Sequence, residues 1–518
     1  MQLDKFAYQG KGAAQSRPKP PPRVGRARWD DLDNDALREI FQHFDDRVLA
    51  RMAQLDQRTR RVAYAATRTC LGLGDSQWEV FKAVLHRREN VLITGAPGCG
   101  KSFLLNILKE RIPRALVTAS TAAAAEKIDA FTLHAALGLG LGDKPADEIV
   151  KKLKRPRHGV VFPQPCQTCS ALIIDEVSML TAKVLDLAAE VMLAFRKTLP
   201  QLVVSGDPMQ LGAVGAEKDG AFYTSKLIGK LRPYVLAESF RQTENSRFLS
   251  ILNRARLGCA REYDRAWLVE HACPDVGVDA PRLFCKKTQV WEYNHLKLAT
   301  IQAQQHNFSI EEWGKVPFPT VDGDQFGLVV KVGARVMLTS NLPEWKAVHN
   351  GSCGVVTAID SGMGGSIAVR FDNGKHLQIA QIMHEYKSND EVVGTRKMHP
   401  LILAWAVSIH RAQGATLDRM VTDLSECFAK GQAYVALSRV REIQHLQLRG
   451  ELKLSKLNHV DKKALCWYEE CQSRSERRAT RHRERDRKAE RDAYDQGLDD
   501  AALNAMMDAF EADSGQRE

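Results

Sequence analysis

One stretch of the chain carries the residue types and spacing that bind a nucleotide phosphate chain. It lies between an apolar run at 91–94 and a helix-like run at 103–108, and it reads Gly95-Ala96-Pro97-Gly98-Cys99-Gly100-Lys101-Ser102. Glycines in such a Walker A loop let backbone N–H groups close on the β-phosphate, and the helix start adds its dipole. Lys101 is expected to reach the β- and γ-phosphates, and Ser102 to hold Mg²⁺. The loop therefore predicts a site for ATP and Mg²⁺.

Two further segments supply side chains suited to hydrolysis of a phosphoanhydride. An apolar run at 172–174 ends in Asp175 and Glu176, and a run at 202–205 leads to Gln210. We expect Asp175 to fix the Mg²⁺ ligands and Glu176 to orient and deprotonate the attacking water. Gln210 stands where it can sense the γ-phosphate or that water. A solvated acidic turn is the alternative for the two carboxylates, and the preceding apolar run disfavours it.

A helix start is predicted upstream of the phosphate loop. Ser76 and Glu79 have the spacing of a capping box, with Ser76 as the N-cap. Gln77 then lies on the first helical turn, where its amide can read the edge of an adenine. A plain surface glutamine is the equal alternative.

The apolar pattern predicts the elements that position these residues. Short β-rich runs alternate with helical stretches, which is typical of buried parallel strands with helical crossovers. The runs lie at 91–94, 115–118, 172–174 and 202–205. They predict a doubly wound α/β domain over residues 71–235.

A different pattern of apolar residues and turns follows further along the chain. Residues 325–395 contain short strands, glycine-rich turns and the hairpin signal Asn373-Gly374, which predict a small antiparallel β-barrel. Because α/β texture returns after it, we predict that the barrel is inserted in a second α/β domain formed by 236–324 and 396–460. A charged helical tail is predicted over 461–518.

Size and charge limit the class of protein. The chain has 518 residues, which predicts several domains, and it contains no apolar run long enough to span a membrane. Its eleven cysteines are mostly scattered singly, and no secretory signal opens the sequence, so reduced thiols inside a cell are expected. The last 27 residues carry −7 of the net +11, so the remainder carries +18. Such a basic body suits a binder of polyanions, although a merely soluble basic protein is an equal alternative.

Several segments together, in this order, resemble the superfamily-1B DNA helicases and more narrowly the petite-integration-frequency (Pif) family. The resemblance rests on residues 175–179, 206–211, 239–242, 403–418 and 431–440. It implies an α/β fold of two RecA-like P-loop domains with ATP between them and an inserted small β-barrel. It also implies ATP-dependent movement on single-stranded DNA, 5′ to 3′, with unwinding of duplex or forked DNA in replication, repair or recombination. The work would take place in the nucleus, another DNA-containing compartment or a viral replication site.

The resemblance also implies roles for residues that spacing alone does not identify. Arg241 and Arg439 match arginines that approach the γ-phosphate from the second domain, and Gln413 and Gly414 match positions near the nucleotide. The predicted contacts to the DNA strand are Thr118, Ser120, Thr121, Thr132, His134, Ser408 and His410. One departure from the family pattern is the run of four alanines at 122–125, which affects the expected geometry of the first DNA contact.

The two ends of the chain carry separate expectations. Residues 1–28 are basic and proline-rich and predict a disordered arm, and residues 29–70 form a helical segment that resembles an F-box. An F-box implies a Skp-type ubiquitin-ligase adaptor as partner; a helical accessory pair is the alternative. Two other functions stay open: a related RNA or recombination motor, and an F-box-type adaptor or DNA translocase with an ATP-driven switch and little unwinding.

A single Cys-x-x-Cys pair raises the question of a bound metal. Cys166 and Cys169 have the right spacing, but no second pair stands at zinc spacing. We therefore expect no structural zinc at this segment.

Overall fold

The computed structural model describes residues 68–495 except 70, 141, 155–164, 238–245, 315–326, 341–347, 349, 361, 363–364 and 389–390. The predicted basic arm, the F-box-like segment, Arg241 and the acidic end of the tail therefore lie outside the described residues. Leu73–Arg487 form one compact unit, and the geometry discussed below lies within it. No helix of the described part combines the length and apolar character needed to cross a bilayer.

The described strands number twenty and occur throughout the chain. They are β1 (Val91–Gly95), β2 (Ala115–Ala119), β3 (Phe131–Thr132), β4 (Ala171–Asp175), β5 (Gln201–Ser205), β6 (Arg232–Leu236), β7 (Arg282–Phe284), β8 (Gln305–Phe308), β9 (Glu311–Gly314), β10 (Leu328–Lys331), β11 (Arg335–Leu338), β12 (Cys353–Asp360), β13 (Ser366–Phe371), β14 (His376–Ala380), β15 (Ile382–Ser388), β16 (Glu391–Met398), β17 (Leu401–Leu403), β18 (Ala406–Ser408), β19 (Met420–Asp423) and β20 (Leu446–Arg449).

The described α-helices connect and cover these strands. They are α1 (Asp75–Leu85), α2 (Lys101–Arg111), α3 (Ala122–Lys127), α4 (Leu133–Ala136), α5 (Ala146–Lys154), α6 (Pro165–Thr168), α7 (Ala182–Arg196), α8 (Ala216–Asp219), α9 (Lys226–Gly229), α10 (Ser246–Arg256), α11 (Glu262–His271), α12 (Lys287–Thr300), α13 (Gln432–Leu437), α14 (Leu454–Leu457) and α15 (Lys462–Asp495).

Two parallel sheets confirm the predicted α/β class. The first has the order β3-β2-β4-β5-β1-β6, and the second has the order β18-β7-β19-β20. Strands β1 and β4 are buried along their whole length, as expected for strands covered on both faces. The sequence pattern located four of the first sheet's strands within a residue or two, and it missed β3 and β6. The domain boundaries given above stay a prediction.

Antiparallel strands occupy the segment predicted as a barrel. They form a five-stranded sheet β14-β13-β12-β11-β17, a three-stranded sheet β15-β16-β9 and the pair β10-β8. The hairpin at Asn373-Gly374 is confirmed, because Gly374 has a φ of 81° and Lys375 N donates to Asn373 Oδ1. Pairing extends beyond 325–395, since β8, β9 and β17 also take part.

The sequence predicts only a charged helical tail in this region, but the long helix α15 also packs through an apolar face. Its first part buries Ala464 in the core beneath the second sheet, and Trp467 stacks on Tyr223 beside the first sheet with ring centroids 5.5 Å apart. Further along, Ser475 Oγ accepts from Val235 N of edge strand β6 at 3.2 Å. The helix therefore packs across both halves of the α/β unit. The signal was present in the sequence as residues 464, 467, 468 and 471, which share one helical face.

Candidate nucleotide and DNA site

The phosphate loop lies between β1 and α2, as the sequence predicts. Gly98 and Gly100 have φ values of 82° and 77°, in the left-handed region that favours glycine. At Gly95, an added Cβ would lie 2.8 Å from the carbonyl oxygen of Leu236, so neighbouring backbone leaves room only for glycine. The loop's glycines are therefore required by its conformation and by close packing, and α2 begins directly at Lys101.

Lys101 is directed back into the loop. Its Nζ donates to the carbonyl oxygens of Gly95 at 2.8 Å and Ala96 at 3.0 Å. These two carbonyls hold the ammonium beside the space that the loop encloses. Lys101 would exchange at least one of these weak neutral acceptors for phosphate oxygens, which make stronger charge-assisted bonds.

Ser102 and Asp175 face one another as a pair of hard oxygen donors. Ser102 Oγ donates to Asp175 Oδ2 at 3.1 Å, and Asp175 Oδ1 accepts from the backbone N–H of Glu176 at 2.9 Å. Mg²⁺ is commonly held by only one or two protein oxygens together with phosphate oxygens and waters. No cluster of three or more His, Cys, Asp or Glu ligands occurs in the described part of the chain. The donor set therefore fits Mg²⁺ bound together with ATP rather than a closed protein cage.

Glu176 has the backbone and surroundings of a reactive group. Its φ of 52° and ψ of 42° are left-handed, which is costly for a non-glycine residue and common at active sites. Oε2 is buried and has no hydrogen-bond partner among the described residues. Burial, followed by the charge of Asp175, raises the pKa of the Glu176 carboxyl, against the opposing charges of Lys101 and Arg439. A carboxylate with a raised pKa and a free oxygen is suited to accept a proton from water.

Two predicted glutamines lie at this site, and one of them connects the two halves of the α/β unit. Gln413, from the segment after β18, donates through Nε2 to Ser178 Oγ at 3.3 Å and to the carbonyl oxygen of Leu211 at 3.4 Å. Gln210 is 7% exposed, and its Oε1 finds no partner in the described residues. The structure therefore brings the predicted residue Gln413 against the loops that follow β4 and β5, while Gln210 keeps an unused acceptor.

Arg439 is close to the site but engaged elsewhere. Its guanidinium donates to the carbonyl oxygens of Val435 and Ala415 and to Ser438 Oγ, at 2.7 to 3.0 Å. Gly414 precedes Ala415 and adopts a φ of 81°. To contact a γ-phosphate, Arg439 must give up some of these bonds, so its predicted role requires a rearrangement on nucleotide binding.

A buried charge network that the sequence analysis missed lies immediately after β5. Asp207, fully buried, accepts from Arg256 Nη2 at 2.8 Å and from the Tyr434 hydroxyl at 2.7 Å. Burial acts to raise the pKa of Asp207, but the charge and hydrogen bonds of Arg256 outweigh it and hold the pKa below its usual range. The Arg256 guanidinium also lies over the Tyr468 ring of α15, 4.2 Å from its centroid. Asp207, just after β5, is thus connected to α10 through Arg256, to α13 through Tyr434, and to α15 through the contact of Arg256 with Tyr468.

The sequence held only part of the signal for this network. Asp207 and Tyr434 lie inside segments that carry the helicase resemblance. The resemblance identified these segments but did not show that the two side chains bond to each other. Arg256 stands at the end of an amphipathic helix, and nothing in its spacing separates it from a surface arginine. Only the tertiary structure pairs it with Asp207.

Gln77 lies at the site, but its observed contacts are with the phosphate loop and the start of α1. Helix α1 begins at Asp75, two residues earlier than a Ser76 N-cap requires, and Gln77 Oε1 accepts from Gly74 N at 3.1 Å. The Gln77 amide nitrogen donates to the carbonyl oxygens of Cys99 at 3.2 Å and Gly100 at 3.3 Å. Gln77 is thus buried and holds the phosphate loop, rather than lying on the surface. Contact with an adenine stays a prediction.

Replacing Gln77 by Ala tests which role dominates. The Gln77 amide stabilises a loop that binds the phosphates, which ATP and GTP have in common. We therefore expect the KM values for ATP and GTP to rise together by about tenfold, which corresponds to the free energy of about one hydrogen bond. Steady-state kinetics with both nucleotides measures this. Gln201→Ala is the matched control, since Gln201 likewise donates to two carbonyl oxygens, those of Val84 and Glu89. A rise for ATP alone would instead indicate adenine recognition.

One predicted DNA contact is wrong. Thr118 is fully buried within β2, and its hydroxyl donates to the carbonyl oxygen of Ile173 on β4 at 2.8 Å. A hydroxyl inside the sheet cannot reach a phosphate on the surface, so Thr118 stabilises the sheet. The position of the strand end explains the error, because Thr118 lies one residue inside the end of β2 whereas Ser120 lies beyond it.

The other predicted DNA residues of the first sheet lie at or just after the carboxyl ends of β2 and β3. Thr121 and Thr132 accept from Ala124 N and Ala135 N and so cap the starts of α3 and α4. Ser120 Oγ is buried with no partner among the described residues. Burial lowers the pKa of His134, which favours the neutral ring.

The remaining predicted DNA residues lie at or just after the end of β18 in the second sheet. Ser408 Oγ accepts from Arg411 N at 3.4 Å, and His410 stacks on Phe428, with ring centroids 6.4 Å apart. Burial, followed by the charge of Lys287, lowers the pKa of His410. Phe428 is 58% exposed and was not singled out from the sequence. The predicted DNA residues thus occur at strand ends in both sheets.

Similarity to known proteins accords with this geometry. A family model described as an AAA domain matches residues 72–266. The ATP-dependent DNA helicase PIF1 of Danio rerio is 35% identical over 393 residues, which cover 73% of this chain and 61% of that protein. The chain thus spans less than two thirds of the length of that relative.

A bacterial relative and a solved structure match over most of their own length. The ATP-dependent DNA helicase Pif1 of Bdellovibrio bacteriovorus is 31% identical over 404 residues, which cover 75% of this chain and 90% of that protein. The Bacteroides Pif1 helicase in complex with ADP-AlF3 and single-stranded DNA is 25% identical, with a TM-score of 0.63 over 77% of this chain and 96% of that one. This protein therefore belongs to the Pif1 family of ATP-dependent DNA helicases.

Proposed function

We propose that this chain hydrolyses ATP to move along single-stranded DNA and separate duplex DNA. The observation that carries the proposal is the direct bonding of the nucleotide-site loops to two residues of the second α/β half, Gln413 in the segment after β18 and Tyr434 in α13. Gln413 bonds the loops after β4 and β5, and Tyr434 bonds Asp207. A change at the γ-phosphate can therefore alter how the two parallel sheets are held together, which is what a motor requires.

Hydrolysis would use the chain's own side chains in distinct roles. Lys101 binds the β- and γ-phosphates and stabilises the charge that develops on them. Glu176, through its unpaired Oε2, orients a water and takes its proton as the water attacks the γ-phosphorus; the bond from that phosphorus to the bridging oxygen breaks, and ADP leaves with this oxygen. Gln210 offers its free Oε1 to the same water. Ser102 and Asp175 would hold Mg²⁺, which when bound neutralises phosphate charge.

Coupling to DNA would follow from the arginines of the second half. Arg439 leaves part of its carbonyl cage to contact the γ-phosphate, and the family resemblance assigns the same task to Arg241. This exchange draws the second sheet toward the nucleotide, and product release reverses it. Residues at the strand ends of both sheets, among them Thr132 and His410, then grip the sugar-phosphate backbone in alternation.

Three observations support DNA as the polymer along which the protein moves. The chain is basic outside its acidic end, the relatives are named as DNA helicases, and the Bacteroides neighbour binds single-stranded DNA. Movement from 5′ to 3′ follows from the family resemblance. The protein would act in a compartment that contains DNA. Recruitment of a Skp-type adaptor through residues 29–70 stays a prediction, because that segment lies outside the described residues.

The test is ATP-driven unwinding of two matched duplexes, one with a 5′ single-stranded tail and one with a 3′ tail. We expect only the 5′-tailed duplex to open, and Lys101→Ala protein to open neither. Opening of neither duplex by the wild-type protein, with ATP hydrolysis still stimulated by single-stranded DNA, would replace unwinding by translocation. Absence of any DNA-stimulated hydrolysis would reject the proposal.

A further inference from the structure

A basic cavity lies on the second parallel sheet, apart from the nucleotide site. Its volume is about 270 Å³, and its lining includes Asp275, Val278, Arg282, Lys297, Gln447 and Arg449. It shares no lining residue with the phosphate loop or with the predicted DNA contacts. None of the roles assigned above uses these residues.

The cavity exists because one face of the sheet is only partly covered. On the inner face, Leu283, Met420 and Leu446 are completely buried in the core. On the outer face, Arg282, Val421 and Gln447 are direct neighbours across β7, β19 and β20, and Arg449 follows two residues later on the same side. Parallel sheets normally have both faces covered, so an open outer face lined by polar groups is unusual.

Three cations converge on this opening. Arg282, Lys297 and Arg449 form no ion pair with any carboxylate in the described part of the chain, although each lines the cavity. The Arg282 guanidinium stacks on the Tyr293 ring of α12 at 4.2 Å, and Lys297 Nζ lies 5.9 Å from the same ring centroid. This stacking orients the planar guanidinium group of Arg282. Mutual repulsion between unpaired cations makes binding of an anion electrostatically favourable.

The remaining lining indicates what kind of anion fits. Asp275 is the one lining carboxylate among the described residues, and its Oδ1 already accepts from Gly277 N at 2.9 Å. Ala280 and Val421 form a buried apolar floor, and Val278 is 80% exposed at the rim. Guanidinium forks bind phosphate oxygens in pairs, while an apolar floor suits a sugar or base. A volume of about 270 Å³ is close to the lower end of ligand pockets.

From this arrangement we infer that the cavity is a second nucleoside-phosphate site, separate from the ATP site. The phosphate lies against Arg282, Lys297 and Arg449, and the sugar or base lies on Val421 and Ala280. The same chemistry is offered by one unit of a nucleic-acid strand and by a free nucleotide. The inference goes beyond the proposed motor activity, because it concerns binding outside the hydrolytic site.

The test compares two full-length variants that lose the same charge. The pocket variant carries Arg282→Gln, Lys297→Gln and Arg449→Gln, and the control variant carries Lys183→Gln, Lys230→Gln and Lys375→Gln, which are exposed elsewhere. In the strand arm, oligothymidylate affinity is measured against salt concentration. If a strand occupies the cavity, the slope of log affinity against log salt becomes less steep by about 2 in the pocket variant and changes less in the control.

In the nucleotide arm, ADP is titrated calorimetrically into each protein. If a free nucleotide occupies the cavity, wild-type and control proteins bind two equivalents, the pocket variant binds one, and Lys101→Ala protein retains the cavity site. Equality of pocket and control variants in both arms overturns the inference. The single variant Arg449→Gln, at an exposed position, keeps the test valid if the triple variant does not fold. Both arms measure binding without turnover, so they are independent of whether the chain unwinds DNA.

Discussion

Replacement of Glu176 by Gln is expected to lower kcat for ATP hydrolysis by about 10²–10⁴-fold, the usual contribution of a general base, while ATP still binds. Gln preserves the size of the side chain but cannot accept a proton from the attacking water. Phosphate release measured with saturating single-stranded DNA gives kcat, and a fluorescent nucleotide gives the affinity. Glu190→Gln, an exposed substitution on α7, is the control and should leave both values unchanged.

The pH dependence of the same reaction provides a second measurement. A base must be deprotonated to act, and burial raises the pKa of Glu176. The kcat of the wild-type protein should therefore decline, as pH falls, at a higher pH than an ordinary glutamate would give. Residual turnover of Glu176→Gln should lack this decline. Full activity in the variant would mean that another group takes the proton.

Replacement of Asp207 by Asn is expected to reduce the free energy of unfolding by about 3–5 kcal/mol, because it leaves the buried charge of Arg256 without its partner. Urea unfolding near neutral pH measures the loss. Tyr434→Phe is the matched variant: it removes one hydrogen bond to the same carboxylate, and about 1 kcal/mol is expected. Equal and small effects for both variants would contradict a buried ion pair at this position.

Acid unfolding tests the charge of the same carboxylate. Because Arg256 holds the pKa of folded Asp207 below its unfolded value, the pair stabilises the fold above the unfolded pKa. This contribution is lost as pH falls through the lowered folded pKa. The wild-type protein should therefore lose more stability on acidification than Asp207→Asn does.

Tyr434→Phe also separates stability from coupling. Its fold should persist, yet the connection between β5 and α13 is weakened. We expect unstimulated ATP hydrolysis to change little and stimulation by single-stranded DNA to decrease. A variant with normal stimulation would assign the network to folding alone.

The residues of the candidate hydrolytic site were largely predictable because their motifs are local. The Walker A loop needs glycines at fixed spacing between a strand and a helix, and Asp175 and Glu176 directly follow an apolar strand. Parallel strands place their carboxyl ends at one edge, so these groups meet. Thr118 was misassigned for the opposite reason: a hydroxyl one residue inside a strand end is buried, and the strand end was uncertain.

Long-range partners were not predictable from spacing. Asp207 and Arg256 are 49 residues apart, and Asp207 and Tyr434 are 227 apart, with no periodicity linking them. The charge pattern of α15 likewise does not show that the helix packs across both halves of the unit. The stacking of Trp467 on Tyr223 is a contact that only the tertiary structure shows.

The amino-acid sequence by itself determined the α/β class, the candidate ATP site and the family, because each depends on residues that are close in the chain or on ordered motifs. Tertiary structure alone decided that Gln77 holds the phosphate loop, that Asp207 joins β5 to three helices, and that Arg282, Lys297 and Arg449 surround one cavity. These arrangements arise when sheets and helices pack, since packing brings together groups that are separated in the chain, by as many as the 227 residues between Asp207 and Tyr434.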